Sequence, residues 1–195
     1  MKKITTILLV LCVALSVIAF GCASSGGGGG AILGDGIPAV GIWEAIDDSA
    51  DGGVSTVTMN ELEIGGIPAF NFKGSVPREG TGIAWPWVNF EFTPEEDNVA
   101  AFKNAKAVSF MVKGNGAEYA VRYHVDSVTD WAWHSYSFTA PGEPTKIEVP
   151  LKYFMQPSWG VFKRLDTSRF FMLSVTPVGY NIDYDVTVWD LQVIQ

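Results

Sequence analysis

Short runs rich in Val, Ile, Thr, Phe, Tyr and Trp alternate along this chain with clusters of Gly, Pro, Asn and Asp. Such runs predict β-strands that each bury one face, because successive side chains of a strand point to opposite sides. The predicted strands are residues 41–46, 54–62, 69–74, 83–92, 107–112, 119–125, 131–139, 145–150, 169–176 and 185–193. A short helix is predicted at 95–104, which begins with acidic residues suited to a helix N-terminus. The pattern is typical of an all-β sandwich built from two antiparallel sheets.

The stretch 119–139 reads as two strands joined by a polar connection, and it carries the first candidate binding residues. If its Tyr, Val and Phe positions of one parity face the core, the opposite parity places Arg122, His124, Trp131 and Trp133 together on the outside. Asp126 lies in the connection between the strands. Tryptophan rings beside hydrogen-bonding side chains can hold a sugar ring. The alternative is that the tryptophans pack under a loop or fill the core, since Trp is buried on average.

The predicted strand 83–92 also places tryptophans beside hydrogen-bonding side chains. Trp85, Trp87 and Asn89 share the parity opposite to its core positions. Pro86 indicates a sheet edge or the end of a strand, because proline cannot donate a ladder hydrogen bond. An exposed aromatic face can also mark a protein contact, so both a sugar and a protein remain candidate ligands.

The N-terminal residues predict export. Residues 1–21 read as a signal peptide, with Lys2 and Lys3 followed by an apolar run at 7–20. Cys22 stands where a bacterial lipobox places the lipidated cysteine, and residues 22–35 form a Gly/Ser-rich tether. An ordinary cleaved signal or an uncleaved anchor is the alternative. The interpretation places the domain at 36–195 in the bacterial cell envelope, attached to a membrane through its lipid.

The cysteine content and the net charge exclude further kinds of function. The chain has two cysteines, in the apolar run and at the lipobox, so the processed domain would have no thiol for a disulfide or a nucleophile. Its net charge is −8 at pH 7 and becomes more negative when Lys2 and Lys3 leave with the leader. Nucleic-acid binding requires a basic surface, so nucleic acid is excluded as a partner.

The residues do not favour catalysis. Glycoside hydrolysis needs a positioned pair of carboxyl groups, but Asp126 and Asp130 flank a turn and residues 95–97 begin a predicted helix. The chain has two histidines, and His134 lies on the predicted core parity. No phosphate-binding loop, dinucleotide fingerprint or zinc-protease motif is present. We therefore expect a binding protein and no enzyme.

Several motifs in chain order resemble a known pair of families. They are Asp47-Asp48 with Gly52-Gly53-Val54-Ser55, Ala69-Phe70 with Gly74, the strand after Gly82, VKGNGAEY at 112–119, YSFT at 136–139, Val149-Pro150 with Phe154, and Trp189-Asp190-Leu191. Together they are similar to the complex I intermediate-associated assembly-factor family and to family eleven carbohydrate-binding modules. The resemblance covers nearly all of 36–195.

The resemblance implies a galactose-binding-like β-jelly roll. In the carbohydrate-binding branch, a concave sheet holds a glucan chain with aromatic, Asp and Arg side chains, and part of that cleft corresponds to residues 122–133 here. Arg122 and His124 resemble the Arg-x-Asp pair of that branch, with histidine in place of the acid. The assembly-factor branch binds a protein subunit, and neither branch implies catalysis.

The implied fold often carries a structural calcium between its first and last strands. Calcium takes six to eight oxygen ligands. Acidic residues near the first predicted strand and in the last one supply candidates, of which Glu44, Asp48 and Asp190 are the predicted ligands. The alternative is a solvated acidic loop.

Together these observations predict a lipid-anchored, non-catalytic module that holds a glucan-like glycan on an aromatic sheet face. The alternative is a protein-binding assembly module on the membrane surface. No cofactor is expected apart from the structural calcium.

Overall fold

The computed structural model describes residues 35–195. The predicted signal peptide, Cys22 and the tether up to residue 34 lie outside the described residues. Within them, no helix is long and apolar enough to cross a membrane.

The described chain folds into two antiparallel sheets with one short α-helix. The strands are β1 (Ile37–Pro38), β2 (Gly41–Asp47), β3 (Thr56–Ile64), β4 (Ile67–Val76), β5 (Val88–Pro94), β6 (Ala107–Gly114), β7 (Glu118–Val125), β8 (His134–Thr139), β9 (Thr145–Pro150), β10 (Phe170–Pro177) and β11 (Ile182–Ile194). The helix α1 is Glu96–Lys103, and 3₁₀ turns cover Asp48–Asp51, Leu151–Tyr153 and Thr167–Arg169. The first sheet has the order β3-β4-β11-β6-β9, with β1 beside β11, and the second sheet has the order β2-β5-β10-β7-β8.

This architecture confirms the predicted all-β jelly roll. Most predicted strands are found within a few residues of their expected ends, and α1 lies inside the predicted helix. For two strands the predicted start is too early. The predicted strand 83–92 begins only at Val88 (β5), and the predicted strand 131–139 begins only at His134 (β8). Trp85 and Trp87 therefore precede a strand, as do Trp131 and Trp133. Pro86 is the physical reason in the first case, and in the second Trp131 has a left-handed backbone with φ of 60°.

The core between the sheets is rich in aromatic rings. Phe72 on β4 stacks on Phe90 on β5, with ring centroids 4.3 Å apart, so this contact joins the two sheets. Trp43 on β2 packs against Phe72 at 5.7 Å. Such rings bury large apolar areas, which must stabilise a domain whose described residues contain no cysteine.

Helix α1 closes one end of the sandwich. Phe102 of the helix is fully buried and stacks on Phe170 of β10 with centroids 4.6 Å apart. The backbone carbonyl of Phe102 also accepts a hydrogen bond from the hydroxyl of Tyr123 on β7. The same end carries the loops that follow β7 and β9, so α1 fixes the base from which those loops project.

Replacing Phe72 by alanine removes the ring that links the sheets. We expect Phe72→Ala to lower the free energy of unfolding by about 3–5 kcal/mol, because the mutation leaves a cavity in a fully buried layer. Chemical denaturation measures the change. Phe162→Ala is the control, since that ring is exposed and its loss should shift stability little. Equal effects of the two substitutions would contradict this account of the core.

Candidate functional site

The outer face of the second sheet carries a row of polar side chains across four strands. Strand register places Glu44 on β2 beside Glu91 on β5, then Ser174 on β10, and then Arg122 on β7. These residues alternate with core positions such as Phe90 and Leu173, so their side chains lie on the face away from the core. The row is the candidate site.

A chain of polar contacts holds the middle of this row. The Nη1 atom of Arg122 donates to Oδ1 of Asn89 at 3.3 Å, and Nδ2 of Asn89 donates to Oε1 of Glu91 at 3.5 Å. Burial lowers the pKa of Arg122. Burial also raises the pKa of Glu91, against a lowering effect of Asn89, and the neighbouring Glu44 raises it further. The site thus offers fixed donors and acceptors in a partly desolvated setting, which suits recognition of hydroxyl groups.

His124 lies next to this row and is held in one position. It is 2% exposed, and its Nε2 atom lies 2.8 Å from the hydroxyl of Ser174. The ring of Trp133 packs on it with centroids 4.5 Å apart, and Phe171 contacts it at 5.8 Å. Burial, followed by the charge of Arg122, lowers the pKa of His124 to about 3. The histidine is therefore neutral at physiological pH.

The structure brings together part of the predicted aromatic platform. Trp133 is half-buried against His124, close to Arg122 on the same outer face. Trp131 is 76% exposed in the loop between β7 and β8. The predicted surface grouping of Arg122 and His124 with Trp133 is present, although His124 and Trp133 support each other more than they face solvent.

The prediction that Trp85 and Trp87 join the same platform is wrong. Strand pairing through β10 puts Val88, the first residue of β5, level with the start of β7, whereas Trp131 and Trp133 follow the end of β7. Six residues of strand separate the two levels, or roughly 20 Å. Trp85 is 69% exposed and Trp87 half-buried at that other end. Strand parity shows that these tryptophans lie on the same face, but it does not show the direction in which each strand runs.

Asp126 occupies the exposed end of β7. Its carboxylate forms an ion pair with Arg169, and its backbone N–H donates to the carbonyl of Arg169 at 3.1 Å. Asp126, which the sequence predicts to bind ligand, therefore has a structural partner in Arg169, just before β10.

The predicted calcium ligands are not brought together. Asp48 is buried and accepts hydrogen bonds from the Ser55 backbone at 3.0 Å, the Ser55 hydroxyl at 2.8 Å and the Trp87 backbone at 2.9 Å. Glu44 lies on the outer face of the second sheet, and Asp190 lies in the first sheet near the start of β2, whereas Asp48 follows its end. The described residues form no group of three or more His, Cys, Asp or Glu side chains that could hold a metal. The three predicted ligands are therefore not placed to share one calcium ion, and the Asp48 carboxylate is already occupied by Ser55 and the Trp87 backbone.

Three residues of the site were missed: Glu91 as a ligand candidate, and Ser174 and Phe171 as residues that hold His124 in place. Glu91 and Ser174 could have been found from strand parity, since both alternate with buried apolar positions. Phe171 could not, because the pairing is irregular between Phe170 and Met172 at the start of β10, so parity counted along the strand fails there. That irregularity turns Phe171 outward toward His124.

Comparison with known proteins now identifies the family. The family of complex I intermediate-associated protein 30 matches residues 38–179. The chain belongs to this family. No curated protein matches the sequence with significant similarity.

Solved structures show where the fold of this complex I intermediate-associated domain recurs. A family 11 carbohydrate-binding module of a cellulosomal cellulase of Clostridium thermocellum aligns with a TM-score of 0.57 at 14% identity, covering 88% of this chain and 96% of that one. The module from the same organism in complex with a β-1,3-1,4-mixed-linked tetrasaccharide aligns with a TM-score of 0.56 at 14% identity, covering 78% and 88%. A family 30 module, also from a C. thermocellum cellulase, gives 0.50 at 12%, covering 83% and 94%. These identities establish the shared jelly-roll fold.

The neutral state of His124 has a consequence for stability. Its pKa is 6.5 in the unfolded chain and about 3 in the folded one, so only the unfolded chain takes up this proton as the pH falls below 6.5. The stability that comes from burying neutral His124 is therefore fully present above pH 6.5 and is lost as the pH falls below it. We expect the free energy of unfolding to fall between about pH 7 and 5, a range in which ordinary carboxyl groups stay mostly ionised.

Denaturation at several pH values measures this slope, and His124→Gln should flatten it. The burial of His134 lowers its pKa as well, so His134→Gln is the matched comparison and should remove a separate part of the slope. An unchanged slope in His124→Gln would show that folding does not lower the pKa of His124.

Proposed function

We propose that this protein is a non-catalytic carbohydrate-binding module, attached to the bacterial cell envelope through a lipid on Cys22, that holds a glucan-like glycan across the outer face of its second sheet. The observation that carries the proposal is the row of Arg122, Asn89 and Glu91 beside the His124–Trp133 contact. Charged and amide groups in this row would bond sugar hydroxyls, and the adjacent rings would cover an apolar sugar face.

Similar folds support the choice of ligand class. The family 11 module that shares this architecture was solved with a mixed-linked tetrasaccharide. The position of the polar row on one continuous sheet face also suits an extended ligand, because a glycan chain can lie across several strands. The glucan-like specificity is our proposal for this chain.

The chemistry of the face supports binding without catalysis. Ser174 and His124 form a close pair, but Ser174 is fully buried and cannot reach a substrate. Nδ1 of His124 has no hydrogen-bond partner among the residues that the structure describes, so no carboxylate orients this ring. The pair therefore serves to fix the histidine beside Trp133.

A protein-binding assembly module is the second candidate. The family name favours it, as do several exposed apolar side chains at the end of the sandwich that carries α1, among them Trp131 and Phe162. Exposed aromatic residues in one region are typical of protein contacts. The polar row, with its partly desolvated Arg122, favours a sugar over a protein as the ligand.

A binding measurement tests the glycan proposal. Arg122→Gln should weaken binding of soluble mixed-linked β-glucan about tenfold or more, because a hydrogen bond to a charged group contributes about 1.5–3 kcal/mol. Affinity electrophoresis or calorimetry gives the constant. Lys146→Gln removes the same charge from β9 in the other sheet and should bind like the unchanged protein.

Two outcomes would decide against this site. Glucan binding that is equal in Arg122→Gln and Lys146→Gln would place the ligand elsewhere. Failure to bind any glycan, together with specific capture of one membrane protein that is lost in Trp131→Ala, would establish the assembly role.

The lipid anchor has its own test. In a bacterial host with lipoprotein processing, the full-length chain should incorporate labelled fatty acid and sediment with membranes, because two acyl chains give stable attachment. Cys22→Ser should lose both properties, whereas Cys12→Ser should retain them. Label retained by Cys22→Ser would reject the assignment.

A further inference from the structure

The long connection between β9 and β10 is fastened to the loop between β7 and β8. The Gln156 side chain donates to the carbonyl of Ala132 at 2.8 Å and accepts from the backbone of Lys163 at 2.6 Å. The Asp130 carboxylate accepts from the backbone of Val161 at 2.6 Å. Nε2 of His134 lies 2.9 Å from the carbonyl of Lys163. We call residues 156–166 the clip loop, and these contacts give it a defined position beside the sheet.

The clip loop borders a basic depression. The depression has a volume of about 540 Å³ and is lined by the three cations Lys163, Arg164 and Arg169, and by Ser127, Asp166 and Thr167. The Oγ atom of Ser127 is buried and has no hydrogen-bond partner among the described residues. A concentration of cations is unusual for this protein, whose net charge is −8.

The acidic side chains near the depression already have partners. Asp126 pairs with Arg169, Asp130 accepts backbone N–H groups, and Asp166 accepts both the backbone N–H and the hydroxyl of Ser168. Within the described residues, no carboxylate lies at ion-pair distance from Lys163 or Arg164. Lys163 is near enough to help lower the pKa of Asp130, but neither it nor Arg164 forms an ion pair within the described residues, so both can pair with an anionic ligand.

Exposed aromatic rings adjoin the same place. Phe162 directly precedes Lys163 and is 82% exposed, and Trp131 directly follows Asp130, the residue that holds the clip loop. An anion that also carries an apolar ring face would use both features. A sugar that bears a carboxylate has this combination, because its ring stacks on aromatic groups while its carboxylate pairs with Arg or Lys.

We propose that the clip-loop depression binds the acidic sugar of an anionic glycan, with Lys163 and Arg164 pairing with its carboxylate. The inference rests on the proposed function, since it assigns an acidic residue to the glycan held by the second sheet. The site lies at the α1 end of that sheet, beyond the end of β7, the strand that carries Arg122.

Calorimetry with the whole described domain tests the proposal, using oligogalacturonate as the acidic probe and soluble mixed-linked β-glucan as the neutral one. The double substitution Lys163→Gln and Arg164→Gln should weaken oligogalacturonate binding about tenfold or more, because charge-assisted contacts are lost. It should leave the backbone contacts of Lys163 in place, since those use only its N–H and carbonyl. The control is Lys113→Gln with Lys146→Gln, which removes the same charge from the first sheet.

The expected result is a loss of acidic binding in the clip-loop variant alone, with oligogalacturonate binding that weakens as salt is raised. Equal loss in both double variants would show nonspecific attraction and overturn the proposal. If the protein binds neutral glucan but never oligogalacturonate, the inference fails and the proposed function stands. If it binds neither glycan, the proposed function fails.

Discussion

The aromatic layer between the two sheets is the constraint on which the rest of this domain depends. Phe72 and Phe90 join the sheets directly, and Phe102 extends the layer to the helix through Phe170. With no cysteine among the described residues, burial of these rings must offset the chain entropy lost on folding. The layer also fixes strand parity, because a register slip of one residue would expose it. Outward presentation of Arg122 and Glu91 is thus a consequence of core packing.

The same packing determines the electrostatics of the candidate site. Arg122 and Glu91 each lie one position away from buried neighbours, so both side chains are partly desolvated. Burial lowers the pKa of Arg122 and raises that of Glu91, because it disfavours the charged form of each group. Asn89 lies between them and makes one hydrogen bond with each group, which leaves further donors and acceptors for a ligand. Bonds made to a ligand in such a setting are stronger than in water, and the contacts already present reduce the ordering needed on binding.

Much of this arrangement could be predicted from the sequence, and the limits have physical causes. Period-two alternation identifies which face of β7 points away from the core, so the outward direction of Arg122 and His124 follows from local pattern alone. It gives no information on strand order or direction, and for that reason it grouped Trp85 with Trp131 although they lie at opposite ends of the sheet. Asp48 presents a similar case, since a carboxylate near a strand end suits both metal binding and hydrogen bonding between loops until its partners are known.

The clip loop was beyond prediction for a different reason. Residues 156–166 have no periodicity, and their position depends on side-chain to backbone contacts such as that of Gln156 with Ala132, which no local pattern encodes. Gly160 illustrates the fit: its φ is 89°, and a Cβ atom there would approach the Cβ of Ala132 to 2.7 Å. A glycine that looks like ordinary loop composition is in fact required where two loops meet closely.

The charges of the outer face vary from one side of the second sheet to the other. Glu44 and Glu91 lie on β2 and β5, while Arg122 is on β7 and the cations of the clip loop lie beyond it. His124 lies on the basic side, and burial keeps its pKa low, so it is neutral. A carboxylate at this position would repel an anionic sugar near Lys163, and a neutral ring does not. The neutral ring of His124 is therefore in agreement with the proposed ligand, which is neutral along most of its length and acidic at one end.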